Sequence, residues 1–105
     1  MENNSSATAT TDKSAIQLLY RQLINSWNEY NSDAYAALFA DGGSIVGFDG
    51  SQANGRQEIH DHLSAIFADH QPAKFITIVR EVRLLSPTVG LLRAVAGMIP
   101  PEKKK

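Results

Sequence analysis

Three residues and one cluster in this sequence have types that could do chemistry: Tyr20, Asp49, Arg93, and the histidines His60 and His62 on either side of Asp61. A tyrosine can hold a developing oxyanion, a carboxylate can move a proton, and an arginine can hold an anion. Each also has an ordinary structural explanation. Tyr20 lies in an apolar stripe, so its hydroxyl is either satisfied inside the core or turned into a cavity as a donor. Asp49 directly precedes Gly50, and turn chemistry accounts for an Asp there without catalysis. Arg93 interrupts an apolar strand in which Val89, Leu91, Val95 and Ile99 share its parity. On a concave face its charge must find a partner, with Glu81 and Asp49 the carboxylates at hand, or else a ligand.

The histidines invite a metal reading that their spacing opposes. Residues two apart on a helix point about 200° from each other, whereas a zinc-binding histidine pair on a helix needs i, i+4 spacing. Glu58 and His62 have that spacing, but two ligands make no site. No metal is expected, and His60 and His70 are expected to face solvent. No Gly-x-Gly-x-x-Gly follows a strand and no P-loop occurs, so no cofactor is expected. A nucleophile-elbow serine is also missing. The sequence has no cysteine, which excludes a disulfide framework, zinc-thiolate sites and thiol catalysis.

Ten basic and eleven acidic residues leave a net charge of -1, so no field gathers phosphates, and nucleic acid is not an expected partner. Lys103, Lys104 and Lys105 read as a solvated basic tail over 101–105. No apolar stretch is long enough for a signal peptide or a membrane span, so a cytoplasmic protein without membrane contact is expected. With 105 residues, 43% hydrophobic and 20% charged, the composition is that of one globular domain.

Positioning these side chains requires ordered elements. Residues 1–11 are nearly all small and polar and read as a disordered tail, leaving a single domain over 12–100. From an N-cap at Thr11 or Asp12, Ile16, Leu19, Tyr20, Leu23, Ile24 and Trp27 recur at spacings of three and four. They span an arc of about 140°, one buried helix face that Tyr30 extends. Trp27 in that stripe is either a core anchor or a stacking platform for a ligand. Tyr35, Leu38 and Phe39 mark a second short helix ending at Asp41-Gly42-Gly43. Ser44 to Phe48 reads as a strand closed by Asp49-Gly50. Asn54, with Gln57 at N3, then caps a third helix that buries Ile59, Leu63, Ile66 and Phe67. Arg56, in its first turn, reads as a surface or loop-pinning contact. Two β-rich runs, 74–85 and 88–99, joined at Ser86-Pro87, form an antiparallel pair. In the first run, alternation puts Ile76, Ile78, Val82 and Leu84 on one face, broken by Arg80, and Phe75, Thr77, Val79, Glu81 and Arg83 on the other. The order is that of an α+β domain, with helices on one face of a sheet and a cavity between them.

Trp27-Asn28 followed by Asp33 and Leu38-Phe39-Ala40-Asp41 resembles the opening of nuclear-transport-factor-2-like domains, a group that includes ketosteroid isomerase and polyketide cyclases. Val46-Gly47-Phe48-Asp49-Gly50, Gly55-Arg56 with Ile59, Leu84-Leu85-Ser86-Pro87 and Leu91 to Met98 look like the SgcJ/EcaC-type branch of its SnoaL-like members. The resemblance covers roughly residues 14 to 100. It implies a cone-shaped, cystatin-like roll: three helices packed on a curved antiparallel sheet. Such domains normally add two more strands after the one holding Gly97-Met98. This sequence instead runs into Pro100-Pro101 and three lysines, so a C-terminally shortened domain is expected.

Set against the isomerase pattern, the family's helix-1 tyrosine falls at Leu23 and its aspartate base at Gly47. Neither can do that chemistry, so that reaction is not expected. The expectation is a pocket for a small apolar molecule lined by Tyr20, Leu23, Trp27, Phe48, Arg93 and Met98, with Tyr20 as polar donor and Arg93 as anion holder. Acid/base chemistry without a cofactor on an apolar or polyketide-like carbonyl compound would fit such a pocket. The alternatives are a non-catalytic module that forms a homodimer through its sheet, as resembling domains often do, and a truncated inactive relative.

Overall fold

The Asp12 carboxylate accepts the Ala15 N–H at 2.8 Å and caps helix α1, Lys13–Asn28. The structure, a computed structural model, describes residues 12–47, 49–69 and 72–99. Phe48, His70 and the expected tails at 1–11 and 101–105 lie outside the described residues. Helix α1 does not run on through Tyr30, which turns left-handed at φ 56°. The Asn31 N–H then donates to Ser26 O and the Tyr30 N–H to Trp27 O, both at 2.9 Å, the closing pattern usually built on glycine. A tyrosine there costs backbone strain. Its phenol offsets the cost by donating to Pro72 O at 2.9 Å and setting its ring 5.5 Å from that of Phe67.

Asn31 caps the short helix α2, Ser32–Ala37, by accepting from the Ala34 N–H. Strand β1 is Ser44–Val46, shorter than the pattern suggested. The Asp49 carboxylate accepts the Ser51 N–H at 3.0 Å, the Gly47 N–H donates to Ser51 O, and Gly50 has φ 88°. That turn folds Gln52–Asn54 back as a second strand, β2, with Ile45 opposite Ala53. Asn54 therefore does not cap the next helix as expected. It ends β2, and its N–H donates to Glu58 Oε1 at 2.8 Å. Gly55, at φ 86°, accepts the Ile59 N–H and opens α3, Arg56–Asp69.

The long hairpin consists of β3, Lys74–Ser86, and β4, Val89–Ile99. Its register shifts between Val79 and Glu81, leaving Arg80 without an opposite residue. This bulge corrects the strict alternation read from the sequence. Val82 and Leu84 change sides, opposite Leu92 and Gly90, and join Phe75, Thr77 and Val79 on the face toward α1. Gly90 marks that face, because a Cβ there would strike the Ile16 side chain. Ile76, Ile78, Glu81 and Arg83 lie on the outer face with Val89, Leu91, Arg93, Val95, Gly97 and Ile99.

The helices and antiparallel strands make an α+β fold, but the four described strands form two separate ribbons rather than one sheet. Helices α2 and α3 pack on each other, and α3 also covers β1 and β2. Among the described elements, α1 alone packs on β3 and β4. The buried apolar residues Ala36, Ala53, Ile59 and Leu63 all sit at the α2–α3–β1–β2 end. Trp27, Tyr35, Phe39, Ile45 and Phe67 pack around them. No residue of the hairpin is fully buried.

Candidate functional site

Helix α1 holds the hairpin through polar side chains as much as apolar ones. The Trp27 Nε1–H donates to Ala73 O at 2.8 Å. The Asn28 amide donates to Phe75 O at 3.0 Å while its oxygen accepts the Phe75 N–H at 2.8 Å. A single carboxamide thus stands in for a neighbouring strand along the outer edge of β3. One turn before, the Tyr20 hydroxyl lies 2.6 Å from Thr77 Oγ1. Thr77 Oγ1 also lies 3.3 Å from Val95 O, and in the Tyr20–Thr77 pair either hydroxyl can be the donor. The hydroxyl that Tyr20 was expected to offer a ligand is thus paired with Thr77.

Tyr20 and Asn28 line an open groove of about 520 Å³ between α1 and β3, with Ile24, Phe75 and Thr77 beside them. Leu23 and Trp27 follow on the half-buried stripe of α1. The Trp27 ring centroid lies 5.1 Å from that of Phe75 and 5.4 Å from that of Phe67. Met98, opposite Phe75 on the same face, is 51% exposed, and Leu84 and Val79 further along are 40% and 37% exposed. The helix-facing side of the hairpin is thus apolar and only partly covered.

The other expected site residues lie apart from this group. Arg93 is on the outer face, where its Nε donates to Glu81 Oε1 at 2.8 Å, so its charge has the carboxylate partner foreseen for it. Hydrogen bonding from Arg93 holds the Glu81 carboxyl below its ordinary pKa. An anion-holding Arg93 facing Tyr20 is excluded by this placement, since the sheet itself separates them. Asp49 is exposed in the β1–β2 turn, its pKa lowered by hydrogen bonds from the Ser51 backbone and side chain. Its carboxylate clasps the turn. Phe48 lies outside the described residues. Burial, and then the nearby Tyr20, push the Tyr35 phenol up, which keeps it protonated beside Trp27.

A second groove, of about 770 Å³, was not read from the sequence. It lies between α2 and the start of α3, with Asp33, Asp41, Arg56 and His60 on its walls. Arg56 pins the corner, donating twice to Phe39 O and pairing with Asp41 at 3.0 Å. His60 does not simply face solvent: its Nε2 lies 2.5 Å from Asp33 Oδ1 and its Nδ1 3.3 Å from Asp61 Oδ1. Hydrogen bonds to Asp61 and then Asp33 raise its pKa. The Asp33–His60 contact joins residues 27 apart in sequence, beyond the reach of any local spacing rule. No group of three metal-ligating side chains occurs among the described residues, and no described helix is long and apolar enough to cross a membrane.

Fold and site define an α+β domain of the cystatin-like kind, with one helix laid along an open hairpin. Residues 16–97 match the model of the SnoaL-like domain, and the chain belongs to that family. A comparison with curated proteins found no match. Among solved structures, the chain is similar to a domain of unknown function with a cystatin-like fold from Nostoc punctiforme, at 27% identity and a TM-score of 0.79. That match covers 90% of this chain and 59% of the other. A ketosteroid isomerase-like protein from Erwinia carotovora matches at 17% identity and a TM-score of 0.70, over 80% of this chain and 64% of the other. A second cystatin-fold protein from Nostoc punctiforme matches at 19% identity and a TM-score of 0.66, over 85% of this chain and 66% of the other. The chain thus spans about three fifths to two thirds of the length of these structures.

Proposed function

We propose that this SnoaL-like domain, of the SgcJ/EcaC-type branch, binds a small apolar molecule against the helix-facing side of its β3–β4 hairpin. The observation behind this reading is the partly covered apolar surface where Trp27 stacks on Phe75 and Met98 lies opposite Phe75, 51% exposed, with Tyr20 and Leu23 on the facing stripe of α1. Apolar area left against water is a reservoir of binding free energy, at about 25 cal/mol per Å². Binding rather than catalysis fits the polar groups here. Tyr20 is the one expected chemical group on this surface, its hydroxyl is paired with Thr77, and the Asp49 carboxylate belongs to the β1–β2 turn. The same reading sets the domain in the cytoplasm. Trp27 supplies the test. Titration with a panel of apolar carbonyl and polyketide-like compounds should shift its emission in a saturable way, and Met98→Lys should abolish the shift. A panel without any saturable change would reject the pocket.

A homodimer formed through the sheet is a second reading, favoured by the outer face. Ile76, Ile78, Val95 and Ile99 there are each between 48% and 60% exposed and form an apolar patch, which the Glu81, Arg83 and Arg93 side chains separate from Val89. Light scattering at low micromolar concentration should give twice the monomer mass, and a monomer mass would reject the dimer.

A further inference from the structure

Helix α1 turns two rows of side chains toward the groove of about 520 Å³ that it shares with β3. Tyr20, Ile24 and Asn28 form the inner row, and Gln17, Arg21 and Asn25 form the rim, each at i, i+4 spacing. Phe75, Thr77 and Val79 line the strand side. The site is built from α1 and β3 alone, on the side of β3 away from β4. The grip of Asn28 on both backbone groups of Phe75 fixes that side, because it makes the Phe75–Met98 pair a non-hydrogen-bonded one. By alternation Thr77 and Ala96 form another such pair, so the Thr77 N–H also points away from β4, toward the groove.

Arg21 is the one charged residue on these walls, and its guanidinium has no hydrogen-bond or ion-pair partner among the described residues. Helix α1 carries no carboxylate of its own. On β3, Glu81 lies on the outer face, where Arg93 and Arg83 hold it. A neutral apolar compound covering this groove would strip water from Arg21 and leave its N–H donors unmatched, which opposes binding. A carboxylate reverses the sign. The guanidinium fork takes it bidentately, and such charge-assisted bonds are the strong ones. A dianion would keep one charge without a counterpart, so a single negative charge on an apolar body fits best.

We propose that the ligand of this surface is an apolar monocarboxylate, its head group held by Arg21 beside the Thr77 N–H and its chain laid along Ile24 and Phe75. This rests on the small-molecule reading above and names the class of ligand. Octanoate and decanoate, each compared with its neutral amide, test it by titration calorimetry on the full chain. The acids should bind the wild type about tenfold more tightly than the amides. Arg21→Gln, an exposed change on α1, should keep the wild-type melting curve, weaken acid binding about tenfold and leave the amides unchanged. The contrast between acid and amide in the wild type stands without the variant. Acids and amides of equal affinity, or acid binding untouched by Arg21→Gln, overturn the head-group assignment and leave the apolar surface standing. Acids that fail to bind while neutral carbonyl compounds do so have the same meaning. No binding by acids, amides or any carbonyl compound overturns both.

Discussion

Asn28→Ala tests whether α1 holds the hairpin by acting as a surrogate strand. The substitution removes the donor to Phe75 O and the acceptor of the Phe75 N–H, at 3.0 and 2.8 Å. Each backbone group left without a partner costs about 1–3 kcal/mol when buried. Phe75 is half-buried, so water can partly replace the lost amide, and the lower bound of about 1 kcal/mol per bond applies. Alanine at the helix end returns roughly 0.5 kcal/mol of propensity. The net loss is about 1.5 kcal/mol, or a fall in Tm of roughly 6–12 °C for a domain of this size. Urea denaturation followed by far-UV circular dichroism measures it. Asn28→Asp sharpens the test. Ionised, it keeps the acceptor but sets an oxygen against Phe75 O; protonated, it restores the donor. Its folded pKa is therefore raised, so the restored stability is full below the unfolded pKa of about 4 and lost as pH rises through the folded value. A loss under 0.5 kcal/mol for Asn28→Ala, or an Asn28→Asp protein no better off in acid, would refute the surrogate-strand reasoning.

Two further outcomes follow from the same contacts. His60 has a raised folded pKa, caused by Asp61 and then Asp33, so its stabilisation is complete below its unfolded value of about 6.5 and is lost as pH rises through the folded one. Thermal melts of the wild type should decline across that window, and those of His60→Gln should stay flat. Gly90→Ala drives a methyl group into the Ile16 side chain and should cost about 1 kcal/mol, near the low end for overpacking because the obstructing atom ends a flexible chain. Ile16→Val in the same protein, measured as a double-mutant cycle, should recover most of that cost.

Periodicity made α1, α3 and the long hairpin legible in the sequence, because their patterns extend over several turns or strand pairs. Ile59 and Leu63 were identifiable as core for that reason. The bulge at Arg80 was not, because a one-residue insertion leaves no periodic mark and only the partner strand reveals it. It changed the faces of Val82 and Leu84. β2 was hidden for a related reason: Gln52–Asn54 is three residues long, and the turn at Asp49–Ser51 rather than any strand propensity recruits it. Tyr30 looked like one more member of an apolar stripe, whereas its phenol supports a left-handed helix end. The carboxylate partner of Arg93 was within reach of sequence reasoning because Glu81 lies across the same hairpin. Asn28 was noticed as a family landmark, but its grip on Phe75, 47 residues away, has no local signature.

The claim on which this account turns is that the helix-facing side of β3–β4 is a binding surface. Amide and side-chain chemical-shift mapping on the full chain, titrated with the compounds that move Trp27 emission, addresses it directly. Saturable shifts clustered at Tyr20, Leu23, Trp27, Phe75 and Met98 are predicted, with Asp49 and Arg93 unmoved. Shifts confined to the α2–α3 groove around His60 and Arg56, or spread evenly without saturation, would contradict it.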